Sequence, residues 1–271
     1  MSTSSPPIGH LLREWRQRRR RSQLDLALDA DISTRHLSYV ESGRASPSRE
    51  MVLRLAEQLD VPLRARNTLL LAAGFAPAYR DASLADPAMA GARQALEMIL
   101  AAQAPNPALA VDRHWQIVAA NAAVAPLLAG IADPALLAPP ANAMRLALHP
   151  AGLAPRIGNF HEWRAHVLER LRRQVEVGGD PVLADLLAEL LALPAPPQAA
   201  PSTPSLVPGG VVVPLVLDSP AGRLTLLSTI TVFGNPAEVT LSELAIESFY
   251  PADAETAARL RTLQESSGPD A

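Results

Sequence analysis

Apolar residues recur at helical spacing through the first part of the chain. Ile8, Leu11, Leu12 and Trp15 share one side of a helix predicted over residues 8–21. Ser22 opens a second, short helix, and Asp25 three residues on matches a capping box, with Leu24, Leu26 and Ala27 expected to face inward. "DADIS" at 29–33 breaks that helix. Ser33 is placed to cap a third helix over 34–42, which stops at Gly43. "SPSREMVLRLAEQLDVP" predicts a fourth helix with Met51, Leu55 and Leu59 at helical spacing. "LRARNTLLLAA" at 63–73 predicts a fifth, closed by Gly74.

The pattern then changes. Residues 77–92 hold no steady period and read as a linker, with 79–92 as its span between domains. A helix is expected at about 93–102. "ALAVDRHWQIVAAN" (108–121) predicts two short strands around Asp112 and Arg113, entering a helix near Asn121. Residues 159–177 and 180–193 are two strongly amphipathic helices, and the Pro-rich stretch 193–210 suits a mobile loop. "VVVPLVL" and "LTLLSTITVF" flank a turn at 218–223 and predict a hairpin. "TLSE" at 240–243 matches a capping box ahead of the last helices. The expected architecture is an all-α five-helix head (1–78), a linker, and an α+β domain over 93–265.

Composition adds a direction. All 24 basic residues are Arg, and there is no cysteine, which excludes disulfides, thiolate metal sites and cysteine nucleophiles. Residues 1–80 carry 13 Arg against 8 acids, whereas residues 81–271 carry 11 against 19. A basic head on an acidic body points the head at a polyanion. No apolar run approaches the ~18 residues of a membrane helix, and the N-terminus lacks a signal peptide's apolar core. A cytoplasmic protein is expected.

Two short helices around a tight break, within an all-α head, form a helix-turn-helix. Thr34, Arg35 and Ser38 on the third helix can set donors and acceptors against base edges, and a bidentate Arg–guanine contact discriminates by ~1–3 kcal/mol. Arg18, Arg19, Arg20, Arg21, Arg44 and Arg49 are candidates for phosphate contacts. The stretch "RQRRRRSQLDLALDADISTRHLSYVESGRASPS" resembles the phage-repressor-like (XRE) family over about 65 residues. The resemblance implies that Gln23 contacts phosphate and braces the reading helix, and that Thr34, Arg35, Ser38 and Tyr39 lie toward the major groove. It also implies a buried Arg16–Glu41 ion pair that locks the first helix to the third. Where that family usually has Gly at positive φ in the turn, this chain has Asp31, which tolerates that conformation better than most residues.

"PNPALAVDRHWQIVAANAAVAPLL" (105–128), "HEWRAHVLERLR" (161–172) and "TITVFGNPAEVTLSELAIESFYPADAETAARL" (229–260) resemble the ligand-binding domain of the MmyB-like regulators, a PAS-like fold. That resemblance implies a small apolar, fatty-acid-like effector and brings no catalytic set or cofactor. A sheet backed by amphipathic helices can leave an aliphatic pocket with a few polar anchors. Trp115, Asn121, Phe160, Trp163, Thr229, Thr231 and Phe233 are the candidate liners, although each also has an ordinary reading as core, cap or solvent face.

Catalysis finds little support. No Gly-rich phosphate loop or G-x-S-x-G elbow is present. His161 and His166 fall off one helical face, and no metal site is expected. Glu243 and Glu247 are spaced to share a helix face, but a cap explains the first and solvent the second. The expectation is therefore a homodimeric regulator binding double-stranded operator DNA on half-sites ~34 Å apart. The alternatives are a protein-binding, antitoxin-like module and an enzyme with a regulatory head.

Overall fold

Five helices make up the N-terminal part of the chain in the computed structural model, which describes residues 6–197, 212–234 and 238–266. They are α1 (Ile8–Arg18), α2 (Gln23–Asp29), α3 (Thr34–Glu41), α4 (Arg49–Gln58) and α5 (Leu63–Ala72). Their starts follow the sequence closely. The Ser22 hydroxyl accepts from the Asp25 amide while the Asp25 carboxylate accepts from the Ser22 amide, and Ser33 and Ser48 cap α3 and α4. Leu12, Trp15, Leu26, Leu37, Val40, Val52, Leu55 and Leu59 build one core. Leu24, expected to face inward, is instead 65% exposed, because α2 turns Leu26 and Ala27 to the core.

All five helices end the same way. A residue in the left-handed region follows each C-cap: Arg20 (φ 52°), Asp31 (51°), Gly43 (74°), Asp60 (46°) and Gly74 (84°). The residue after it donates its amide back into the helix: Arg21 to Arg16 O, Ile32 to Ala27 O, Arg44 to Tyr39 O, Val61 to Ala56 O and Phe75 to Leu70 O. Each of these hydrogen bonds satisfies a carbonyl that the helix leaves open. Asp31 adopts the positive φ that the turn demands.

The remaining elements are α6 (Ala90–Ala102), β1 (Ala108–Val111), β2 (Ile117–Ala120), α7 (Ala125–Leu128), α8 (Ala143–Leu148), α9 (Phe160–Gly178), α10 (Pro181–Ala192), β3 (Leu215–Ser219), β4 (Gly222–Val232), α11 (Val239–Ser242), β5 (Ala245–Pro251) and α12 (Ala254–Glu265). The strands form one antiparallel sheet in the order β2-β1-β5-β4-β3. This is the α+β architecture that the sequence led us to expect.

One expectation fails here. "TLSE" does not start the terminal helices: residues 240–242 end the single turn of α11, and the next segment is β5, the central strand. Asp253 caps the terminal helix instead, accepting from the Thr256 amide at 2.7 Å. Glu243 and Glu247 therefore share no helix face.

The chain divides into two units. One holds the described residues up to Ala82, with Glu176–Gly178 and the segment ending at Ser242. The other holds Ser83–Val175, Gly179–Gly234 and the described residues from Glu243 on. The stretch 79–92 is more ordered than a linker composition implies. Asn67 accepts from the Ala78 and Tyr79 amides and donates to Tyr79 O, and a turn at Pro87–Met89 leads into α6 before residue 93. The Pro-rich stretch 193–210 lies outside the described residues from 198 on. Among the described residues no helix is long and apolar enough to cross a membrane.

Candidate functional site

Helix α3 divides cleanly. Leu37, Val40 and Glu41 are buried, whereas Thr34, Arg35, Ser38 and Tyr39 face outward to varying degrees. Arg35 donates from Nε to the Tyr39 hydroxyl at 3.0 Å and lies over that ring at 5.4 Å, so the guanidinium is held before any partner arrives. Arg44 approaches the same ring from elsewhere, at 5.9 Å.

The buried end of α3 is fixed by charge. Glu41 accepts from Arg16 Nε at 2.7 Å and from Arg16 Nη2 at 2.9 Å, and Gln23 adds a third bond at 2.8 Å. Gln23 thus braces α3 from the first position of α2. Close backbone packing adds to this lock: a Cβ on Gly9 would meet Val40 O at 2.4 Å and Glu41 O at 2.7 Å.

The arginine run resolves into separate duties. Arg19 donates to Leu59 O and Asp60 O at 2.9 Å each, and Arg21 donates to Gln58 O and to Asp29. These two guanidiniums close the C-terminus of α4, where cations favour the unpaired carbonyls. Arg18 stacks over Trp15 at 5.2 Å, and Arg20 occupies the left-handed position ending α1. Arg20, Arg44 and Arg49 are exposed. Composition alone could not separate helix-end arginines from solvent-facing ones, because the difference lies in carbonyls some forty residues away in sequence.

A second site lies between the sheet and helices α8 and α9. It is a cavity of about 90 Å³, lined by Leu109, Ile117, Leu127, Met144, Val167, Leu215, Leu226, Phe249 and similar groups. Trp115 and Trp163 line it. Phe160 is buried in the surrounding core instead. Asn121 is a bracket: it accepts from the Ala108 amide and donates to Leu100 O and Asn106 O, and its side chain does not cap the following turn. Thr229 and Thr231 are exposed on β4, and Phe233 follows that strand away from the cavity.

The sequence reading missed the cavity's charged pair. Arg170 donates from Nη1 to Glu247 at 2.9 Å, with the Glu247 side chain 5% exposed. The guanidinium lies 4.3 Å from the Trp115 ring, and Trp115 Nε1 donates to Gln174 at 2.8 Å. Trp163, Val167, Arg170 and Gln174 follow one face of α9, a spacing that could have pointed to Arg170. Glu247 gives no such signal, because its spacing from Glu243 suggests a helix rather than a strand.

Trp115 itself sits at φ 65°, a costly conformation for a bulky residue. The loop over-determines it. Asp112 accepts from the His114 and Gln116 amides, Asn142 donates to His114 O, and Trp115 O accepts from the Ala143 amide. Local strain is thereby used to aim the indole at Arg170.

Residues 92–263 match the family model described as MmyB-like transcription regulator ligand binding domain. The chain belongs to this MmyB-like family. Residues 12–65 match a helix-turn-helix model, so the five-helix head of this MmyB-like regulator is an XRE-type helix-turn-helix. A search of curated proteins finds no match. The two models together make the chain a ligand-modulated transcription regulator, with a DNA-binding head and a domain for a small-molecule effector.

Proposed function

We propose that this regulator is a cytoplasmic homodimer that reads operator DNA through α3 and releases or tightens that grip when an apolar, fatty-acid-like effector enters the cavity. The observation that carries the DNA half is the division of α3: Leu37, Val40 and Glu41 hold the helix from within, leaving Thr34, Arg35, Ser38 and Tyr39 for base edges. Gln23 braces that helix and can reach phosphate from the start of α2. Arg44 and Arg49 supply exposed charge for phosphates, with Arg18 and Arg20 as further contributors; Arg19 and Arg21 act mainly by closing α4.

The cavity supports the effector half, since its lining is almost wholly aliphatic and aromatic. Effector binding acts by differing in affinity between two spacings of the paired heads. Among the described residues, the carboxylate pair that an enzyme reading needs is not on one helix: Glu247 lies on β5 and Glu243 precedes it.

The test is a gel-shift series on the DNA flanking the protein's own gene, with and without medium-chain acyl compounds. Affinity should fall steeply with salt and change on adding ligand. Salt-independent binding would sink the DNA half, and indifference to every acyl compound would sink the effector half.

A further inference from the structure

The cavity's polar groups say what kind of head the effector carries, given the reading of this cavity as the effector site. Four lining side chains bear nitrogen or oxygen: Trp115, Trp163, Arg170 and Glu247. Trp115 Nε1 is engaged by Gln174, and Arg170 Nη1 by Glu247. On these four side chains, two buried atoms have no hydrogen-bond partner among the described residues, Trp163 Nε1 and Arg170 Nε, and both are donors. Buried donors are costly when unpaired, so a bound molecule gains by bringing acceptors to them.

Charge narrows the choice. The Arg170 cation already faces the Glu247 carboxylate at 2.9 Å, and the Trp115 ring lies against it at 4.3 Å. The pair is neutral as it stands. A carboxylate docking on Arg170 Nε would bring a second negative charge into an apolar enclosure beside Glu247. An ammonium would bring no acceptor for either donor. Both would be buried without a counter-charge of their own, which is strongly unfavourable.

We propose that the effector is an aliphatic molecule whose polar group is an uncharged hydrogen-bond acceptor, such as an amide or ester carbonyl, received by Arg170 Nε and Trp163 Nε1. A free acid is the disfavoured form of the same chain.

Isothermal titration of the full-length protein with decanamide, methyl decanoate, decanoate and decylamine tests this. The amide and ester should bind about tenfold or more tighter than decanoate or decylamine. Glu247→Gln removes the counter-charge of Arg170, so decanoate should gain about tenfold or more while the amide changes far less. Decanoate binding the wild type as tightly as the amide would overturn the proposal and leave the cavity reading intact. Failure of all four to bind would overturn both. Should Glu247→Gln not fold, the wild-type comparison decides the matter alone.

Discussion

Arg16 and Glu41 meet in a two-bond ion pair, Nε to Oε1 at 2.7 Å and Nη2 to Oε2 at 2.9 Å, that ties the last turn of α1 to the last residue of α3. The Glu41 side chain is fully enclosed and Arg16 is 12% exposed. Removing either partner strands a charge, so Arg16→Ala or Glu41→Ala should destabilise the head by ~3–5 kcal/mol in urea unfolding. Burial pushes the Glu41 carboxyl upward, but bonds from Arg16 and Gln23 and the Arg16 charge outweigh it and hold it below the ordinary 4.5. A depressed folded value means that this stability is present above about pH 4.5 and lost as pH falls through the folded value. Glu41→Gln should flatten that acid limb. An unchanged acid limb in the variant would refute the assignment.

Left-handed helix ends make a second prediction. Asp31 and Arg20 hold φ 51° and 52° with no glycine to ease them. Non-glycine residues pay roughly 1–2 kcal/mol there, and Asp somewhat less, while glycine loses part of that gain to unfolded-state entropy. Asp31→Gly and Arg20→Gly should each stabilise the protein by about 0.5–1 kcal/mol. The midpoint of chemical unfolding reads this directly, and a fall in either variant would contradict it.

These cases mark what the sequence could reveal. Ser22 with Asp25, and Ser33, act on amides within three residues, so local pattern placed their helices almost to the residue. Asp31 was legible as a strained turn by a different route, the resemblance to the XRE family, which usually has Gly at that position. β5 was not, because "AIESFYP" carries a buried Glu247 where alternation would expect solvent. What keeps Glu247 inside is Arg170, seventy-seven residues earlier on another element. The cavity likewise draws single residues from strands and helices that meet only in three dimensions. Aromatic content singled out Trp115 and Trp163, but it equally singled out Phe160 and Phe233, which lie elsewhere.

Asn142 joins the strained Trp115 loop to α8. Its Oδ1 accepts from the Met144 and Arg145 amides, and its Nδ2 donates to His114 O at 2.8 Å. Asn142→Ala should cost about 2 kcal/mol or more, from a lost cap and an unpaired carbonyl. Asn142→Asp keeps the cap and loses only the donor, so it should lie between. Thermal melts followed by tryptophan emission separate the three proteins, and equal melting of the two variants would show that the cap is not what matters.

Arg19 and Arg49 test the division of the basic residues. Arg19→Ala removes two bonds to the end of α4 and should lower stability by ~1–3 kcal/mol, with little change in the salt dependence of DNA binding. Arg49→Ala should leave melting unchanged but reduce the salt slope by about one unit. A reversed pattern would return Arg19 to the phosphates.

Arg35 carries the sharpest expectation for DNA recognition. Tyr39 holds its guanidinium through a 3.0 Å bond to Nε, leaving the terminal nitrogens for a planar, two-bond partner such as guanine. Arg35→Ala should cost ~1–3 kcal/mol on the preferred operator and much less on scrambled DNA, relaxing preference at one base position. Arg35→Lys should not restore it, since an ammonium lacks the fork. Tyr39→Phe should give a smaller loss on the same base, because the contact survives and only its preorganisation goes. Binding-site selection with each variant decides the point. If Arg35→Ala weakens all sequences equally, Arg35 is a phosphate contact and α3 reads the groove through Thr34 and Ser38 alone.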